Sequence, residues 1–277
     1  MAGIDYHTRM THKRLVVITL IAGLSAACRA PEPPPVDRIA QQAQNRRNLF
    51  TEIQPVKLSN CILERFGDAG DGGYLICGNL LNRAESLYSY GISGADQWGC
   101  TVSAQLTLPV HQYDCFNVTR PPCAGATPVF HEECVGPART TEEGRPFDTV
   151  EHQIEKNGDA GKRLIVKMDV EGAEWPSFMA TPESVLKQFD QLTVEFHGVE
   201  EARFLETIQK LKRVFHVVNV HYNNWTCHPD TAPLPALAYE ILFVNKDLGI
   251  VDPAGTAVVP NPLDAPNNKD RPDCQAR

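Results

Sequence analysis

Three carboxylates follow a short apolar run near the middle of the chain, in the segment KMDVEGAEW at 167–175. The run RLIVKM (163–168) is typical of a buried strand, and Asp169, Glu171 and Glu174 come directly after it. Because carboxylates are seldom buried without a partner, we expect them where the strand leaves the sheet. There they can bind a ligand, accept a proton or coordinate a cation. The alternative is that they only charge the start of the next helix, whose dipole favours negative groups.

Glycine and an acid also follow the first two predicted strands. The first strand runs into GISG at 91–94, where Gly91 and Gly94 allow a tight turn and close approach of a ligand. Asp114 ends the second strand, where a carboxylate can accept hydrogen bonds from ribose hydroxyls. With Ser93, these residues describe a candidate nucleoside site, and an ordinary turn with a surface acid is the alternative.

Two later strands end in polar groups: Glu195 and His197, then His221, Asn223 and Asn224. In an open parallel sheet, ligands bind beyond the carboxyl ends of the strands, so we expect all these groups at one edge. An imidazole with a pKa of about 6.5 suits proton transfer at neutral pH, although a single histidine can equally be a hydrogen-bonded strand end. Asp169, Glu195 and Asn223 could instead hold a divalent cation through oxygen.

The elements that must position these residues are visible as seven runs rich in β-branched and aromatic residues. They predict strands at 86–92, 109–116, 127–135, 163–170, 190–198, 214–222 and 239–245. Helical patterns lie between several of them, at 147–158, 182–189 and 200–213. This alternation predicts an α/β fold, with a seven-stranded, mostly parallel sheet and helices on both faces. No helix separates the last two strands, so the final strand could run antiparallel.

The first residues have the outline of a secretory signal. Basic HKR, the apolar run LVVITLIAGL and small SAAC follow one another at 12–28. The apolar run is shorter than the roughly 20 residues that span a bilayer. LSAAC is similar to the bacterial lipoprotein signal, which would make Cys28 the lipidated residue after removal of 1–27. We therefore predict an exported, membrane-anchored lipoprotein of the periplasm or cell surface; a simple cut after Ala27 and a buried helix are the alternatives.

The rest of the chain divides into three parts by composition. Residues 28–59 contain Cys28, a proline-rich linker and a polar helix at 36–53. The folded domain is predicted at 60–246. Residues 247–277 are rich in proline and asparagine and predict an irregular tail, which Cys274 can still attach to the domain.

Cysteine content and charge limit the compartment and the partners. Nine cysteines leave eight without Cys28, and an even set without CxxC spacing predicts up to four disulfides in an oxidising compartment. Cys61 with Cys77 is the one pair that we predict. The net charge of −8 argues against nucleic acid as a partner.

Several segments together resemble the FkbM-like and METTL-type methyltransferases. They are RFGDAGDGGYLIC (65–77), LYSYGISGAD (87–96), KMDVEGAEW (167–175), LTVEFHG (192–198), VHYNNW (220–225) and YEILFV (239–244). They cover roughly residues 60–246 in the family's order, and DVEGAEW is the most specific of them. The resemblance implies a class I methyltransferase (Rossmann-like) fold that binds S-adenosylmethionine and usually delivers the methyl group to an oxygen.

The resemblance gives the candidate residues their expected roles. Cofactor binding is expected from Gly91, Ser93, Gly94, Asp114 and Asp169. Catalysis is expected from Asp169 near the reacting centre, with His221 as general base, His197 as the alternative base, and Glu195. Contacts with the substrate are expected from Tyr74, Glu171, Asn223 and Asn224.

The expected activity is therefore methylation of a hydroxyl on a glycan or small-molecule acceptor by a membrane-anchored enzyme. Two rival interpretations remain open. The fold could be a non-catalytic module that binds a ligand of the cell envelope, or the chain could be a cytosolic enzyme with reduced cysteines.

Overall fold

A computed structural model describes residues 37–274 of the chain. The predicted signal peptide at 1–27, the predicted lipidation residue Cys28 and most of the proline-rich linker lie outside these residues. No helix in the described part of the chain is long and apolar enough to cross a membrane.

The described residues form twelve strands and six α-helices. The strands are β1 (Leu63–Gly67), β2 (Gly73–Cys77), β3 (Ser86–Tyr90), β4 (Pro109–Tyr113), β5 (Thr127–His131), β6 (Cys134–Val135), β7 (Thr140–Glu142), β8 (Arg145–Asp148), β9 (Leu164–Met168), β10 (Phe189–His197), β11 (Phe215–Tyr222) and β12 (Ala238–Asn245). The helices are α1 (Arg38–Glu52), α2 (Gln97–Leu106), α3 (Val150–Lys156), α4 (Glu174–Ala180), α5 (Glu183–Leu186) and α6 (Ala202–Val214).

Seven strands form the central sheet, in the order β11-β12-β10-β9-β3-β4-β5. Only β12 is antiparallel to its neighbours β10 and β11; the other pairs are parallel. These are the seven predicted strands, so the mostly parallel sheet and the antiparallel last strand are confirmed. The chain builds the sheet outward in one direction from β3 through β4 to β5, then in the other from β9, so the strand order reverses between β3 and β9. This arrangement is compatible with a Rossmann-like fold.

The two faces of the sheet are covered differently. Along β9, Leu164, Val166 and Met168 point into a core that is shared with α1, α3, α4, α5 and α6. Ile165 points to the opposite face, where β1, β2 and α2 cover a second core. The three predicted helices thus lie on one face, and the opposite face is covered by α2 and the β1-β2 hairpin. Lys167, by strand alternation, lies on the face covered by this hairpin.

Some local elements differ from the prediction. The helix expected at 147–158 begins only at Val150, because the residues before it form β8 and pair with β6 and β7. Helix α1 lies within the predicted polar segment at 36–53, and it packs on the core through Leu49 and Ile53 at its C-terminal end.

Four disulfides connect the eight cysteines of the described residues. They are Cys61–Cys77, Cys100–Cys123, Cys115–Cys134 and Cys227–Cys274. The predicted pair and the predicted total are confirmed, and the four bridges indicate an oxidising, exported environment. Residues 248–274 have almost no regular structure, and the disulfide of Cys274 attaches this segment to the domain, both as expected.

Candidate functional site

The carboxyl ends of β3 and β9 lie in close contact at the point where the strand order reverses. The Gly91 amide donates a hydrogen bond to the Tyr113 carbonyl (2.9 Å), and the Asp169 amide donates one to the Tyr90 carbonyl (3.1 Å). Gly91 has a φ of +73°, and a Cβ atom at this position would collide with the carbonyl oxygen of Asp169. Glycine is therefore required here both for its backbone conformation and for its size.

A cavity of about 320 Å³ opens beside this edge. Four of the predicted cofactor-binding residues line it, namely Gly91, Ser93, Asp114 and Asp169. Gly94 supports the turn with a φ of +79° from outside the cavity lining. In an open α/β sheet, small molecules usually bind where the strand order reverses, and this cavity has a volume typical of such sites.

Asp114 holds the turn that forms one wall of the cavity. Its Oδ2 accepts a hydrogen bond from the Ser93 amide (2.7 Å), and its Oδ1 accepts from the amides of Phe116 and Asn117 (2.8 and 2.9 Å). A carboxylate has about four acceptor positions, so one position remains for a ligand hydroxyl. The predicted interaction with a ribose is compatible with this geometry, but Asp114 also positions the 91–94 turn.

Aromatic side chains that were not predicted from the sequence form a second wall of the cavity. The rings of Tyr90 and Tyr113 stack with centroids 5.0 Å apart, and Phe116 and Phe147 also line the cavity. The Tyr90 hydroxyl is buried and has no hydrogen-bond partner within residues 37–274. Burial raises the pKa of Tyr90 well above that of a free tyrosine, so this hydroxyl stays a neutral donor. The only sequence signal was the position of each tyrosine near the end of its predicted strand.

Asp169 is the predicted catalytic residue that lines the cavity, and its side chain is 23% exposed. Its Oδ2 accepts a hydrogen bond from the Tyr74 hydroxyl (3.1 Å) and lies 3.4 Å from Nζ of Lys167. Lys167 also donates to the Gly91 carbonyl (2.8 Å), so it joins the ends of β3 and β9. Lys167 was not among the predicted site residues, although a lysine inside an apolar strand was a usable signal.

Tyr74 was predicted to contact a ligand and instead lies in the core between β2 and the central sheet. It is almost fully buried, and it lies outside the cavity lining. Burial raises the pKa of Tyr74 well above its usual value, and the negative charges of Asp169 and Glu195 add to this effect. Tyr74 therefore remains a neutral donor that orients Asp169.

Glu174 connects the DVEGAEW segment to β10. It is fully buried; its Oε1 accepts a hydrogen bond from the His197 amide (2.7 Å) and lies 3.1 Å from Nδ1 of the same residue. Its Oε2 accepts from the Gly172 amide (2.8 Å), and the indole of Trp175 donates to the His197 carbonyl (2.7 Å). Glu174 thus fixes the imidazole of His197 in addition to charging the start of α4.

The free side of the His197 ring faces two carboxylates. Its Nε2 lies 3.5 Å from Oε2 of Glu171 and 3.7 Å from Oε1 of Glu195. Burial alone would lower the pKa of His197, but the hydrogen bond to Glu174 and the surrounding carboxylates raise it to about 9. The ring is therefore protonated at neutral pH in the protein alone. Glu171 itself is highly exposed and has a φ of +54°, which is unusual for a residue other than glycine.

Glu195 and Asn223 form a buried pair. The Asn223 Nδ2 donates to Oε1 of Glu195 (2.6 Å), while the Asn223 Oδ1 accepts from the amide of Trp225 (3.0 Å). Burial raises the pKa of Glu195 well above that of a free carboxyl group, and the charges of Asp169 and Glu240 raise it further. The prediction that Asp169, Glu195 and Asn223 together hold a cation is wrong for Asn223. Its side-chain nitrogen, which is no metal ligand, points toward Glu195.

A different set of side chains could hold a metal ion. One ligand atom each from Asp169, Glu171 and His197 lies within 4.8 Å of the other two.

His221 and Asn224 lie under the C-terminal tail. His221 is buried, contacts Glu240 through Nδ1 (3.2 Å) and lines a separate cavity of about 460 Å³. Burial alone would lower the pKa of His221, but the hydrogen bond to Glu240 and its charge raise it to about 9. The Asn224 amide donates to tail carbonyls such as that of Asn268 (2.9 Å), and its oxygen accepts from the Asn268 amide (2.7 Å). Asn224 therefore holds the tail, and neither residue lines the cavity beside Gly91.

These features define an α/β protein with a seven-stranded, mostly parallel sheet and a ligand-sized cavity at the reversal of strand order. No protein-family model matches the sequence, and no curated protein matches it.

Proposed function

We propose that the chain is an S-adenosylmethionine-dependent methyltransferase that methylates a hydroxyl of a glycan or small-molecule acceptor. The observation that carries the proposal is the cavity beside Gly91, which combines a glycine turn, an acid after the second strand of the sheet and a row of aromatic rings. Turns and acids at these places suit a nucleoside, and aromatic rings suit a flat base. The resemblance of DVEGAEW and its companion segments to the FkbM-like and METTL-type methyltransferases supports the same activity, with a class I methyltransferase fold.

Asp169 is the best candidate to act on the acceptor hydroxyl. The bound cofactor supplies a methyl group on a positively charged sulfur, and the acceptor oxygen must lose its proton as it takes this group. Asp169 lines the cavity, and Tyr74 and Lys167 hold its carboxylate in place. His221 lies in another cavity and is protonated at neutral pH, so it is less suitable than expected as the base.

Binding of S-adenosylhomocysteine to the oxidised full chain tests this proposal by calorimetry. Val170 lines the cavity, and Val170→Trp should weaken binding by roughly tenfold or more because the larger ring fills the space. Val129→Trp is the matched control, since Val129 lies partly exposed on edge strand β5, outside the cavity lining. Equal binding by both variants, or no binding by the unchanged protein at millimolar concentration, would refute the proposed site.

A non-catalytic module that binds an envelope ligand is the second candidate function. The four disulfides favour it, because they indicate an exported protein whereas S-adenosylmethionine is made in the cytosol. The same disulfides argue against the cytosolic alternative with reduced cysteines. Failure to bind S-adenosylhomocysteine, together with an intact fold, would favour the module.

Membrane attachment through a lipid on Cys28 belongs to the same proposal. The support is the similarity of LSAAC to a lipoprotein signal, together with the export that the disulfides indicate. The mass of the mature N-terminal peptide tests it: a lipid on Cys28 is expected, and an unmodified N-terminus after Ala27 would refute it.

A further inference from the structure

We propose that Asp169, Glu171 and His197 form a binding site for one divalent cation of the Mn²⁺ type. Their ligand atoms lie within 4.8 Å of one another. Ligands about 2.1 Å from an octahedral ion are about 3.0 Å apart when adjacent and about 4.2 Å when opposite. Only a small inward movement is therefore needed, and Glu171 can supply it because its side chain is exposed and contacts little besides His197.

The orientation of His197 is the first argument for a metal ligand. Glu174 is fully buried behind the ring and contacts Nδ1 at 3.1 Å, so the Nδ1 proton points at a carboxylate. Nε2 faces the carboxylates of Glu171 (3.5 Å) and Glu195 (3.7 Å) at ion-pair distance, on the open side of the ring. A buried carboxylate that fixes the far nitrogen of the ring is the usual support of a metal-binding histidine.

The local charge is the second argument. Asp169, Glu171, Glu174 and Glu195 all lie close to His197, and Glu195 is almost completely buried with its Oε1 3.7 Å from Nε2. Within the described part of the chain, positive charge here is limited to the His197 ring itself and to Lys167, which reaches only Asp169 and carbonyl oxygens. A cation bound to Nε2 would take the place of the proton on that nitrogen. Buried carboxylates without enough positive charge are costly, and a divalent ion at this place would neutralise them.

The position of the cluster indicates what the cation would do. Glu171 lines both the 320 Å³ cavity and a neighbouring groove of about 450 Å³ that also contains His197 and Phe204. A hydroxyl that enters from the groove could bind the cation while it faces the cavity, and a bound cation makes a hydroxyl more acidic. This role rests on the proposed methyl transfer, but the cation site itself does not.

Electron paramagnetic resonance with Mn²⁺ tests the site on the oxidised full chain without any other ligand. The signal of free Mn²⁺ should fall until one equivalent is bound. Glu171→Gln should weaken this binding at least roughly tenfold, and His197→Gln should do the same. Glu201→Gln is the matched control, because Glu201 lines the same groove and pairs with Arg203 but contributes no ligand.

Two results would overturn the cation site: no Mn²⁺ binding at millimolar concentration, or equal binding by Glu171→Gln and Glu201→Gln. Glu171 is too exposed for its replacement to unfold the protein. Glu171→Gln therefore tests the cation site even if His197→Gln does not fold. Mn²⁺ binding without S-adenosylhomocysteine binding would refute the proposed function alone. The reverse result would refute the cation site alone.

Discussion

Replacing Gly91 with alanine should destabilise the protein more than its backbone conformation alone explains. A Cβ atom would collide with the carbonyl oxygen of Asp169, lie 2.7 Å from the carbonyl carbon and lie 3.0 Å from a methyl group of Val170. The first two are backbone atoms directly after β9 and cannot rotate away. Relief therefore requires β3 and β9 to separate at their carboxyl ends, where the cavity lies.

The magnitude follows from two contributions. A left-handed conformation costs alanine about 1–2 kcal/mol, and reduced freedom of the unfolded chain returns about 0.4–1 kcal/mol. The collision adds about 1–3 kcal/mol or more, as for other overpacked positions. Gly158 separates the two contributions, since its φ of +72° matches the +73° of Gly91 and nothing lies within 4 Å of a Cβ there. We expect a loss of about 1 kcal/mol for Gly158→Ala and about 3 kcal/mol or more for Gly91→Ala.

Guanidinium unfolding of the oxidised protein measures both losses of stability. Calorimetry on the same samples measures their affinity for S-adenosylhomocysteine, which depends on the shape of the cavity. Gly158→Ala should bind as the unchanged protein does, and Gly91→Ala should bind more weakly. If both variants lost the same stability, the close contact between the ends of β3 and β9 would not be a property of the folded protein.

Three further predictions concern a disulfide, a buried histidine and a buried tyrosine. Cys274→Ser should lower the free energy of unfolding by about 4 kcal/mol in urea titrations, because its disulfide spans 47 residues; a loss below about 1 kcal/mol would show that the tail unfolds separately. His221 should contribute a loss of stability of about 3 kcal/mol from about pH 6.5 to about pH 9, beside the loss that His197 contributes, because Glu240 helps to raise the pKa of His221 to about 9 in the folded state; His221→Gln should make the total fall shallower in thermal melts, and an unchanged slope would contradict the assignment. Tyr74→Phe should cost about 1.5–3 kcal/mol in unfolding titrations, since it removes a hydrogen bond to the charged Asp169; no measurable loss would count against that bond.

The sequence predicted the parts of the fold that depend on local pattern. The seven strands of the sheet appear as β-branched and aromatic runs, and the polar residues at or just after the ends of the six mutually parallel strands reach one edge because parallel strands end together. Asp169, Glu195 and His197 were found in this way.

Contacts between distant segments could not be predicted in the same way. Asn224 binds the backbone near Asn268, which is 44 residues away, and nothing in either segment indicates the other. The tail therefore appeared as an irregular segment that only Cys274 could attach to the domain, and His221 appeared free to reach a substrate. Lys167 was missed for a related reason, because its partners on β3 become neighbours only when the sheet forms.

The disulfides are concentrated at the edge of the sheet that holds the candidate site. Four of the bridged cysteines follow the carboxyl ends of sheet strands. They are Cys115 and Cys123 after β4, Cys134 after β5 and Cys227 after β11. This edge also holds the costly features of the molecule, namely the strained backbone of Glu171 and the buried carboxylate of Glu195. Cross-links stabilise a fold mainly by restricting the unfolded chain, so they add stability without contacts that would occupy a binding surface. Three of the four bridges fasten loops at this edge, and Cys134 of one of them lines the cavity, so cross-links rather than additional packing hold these loops.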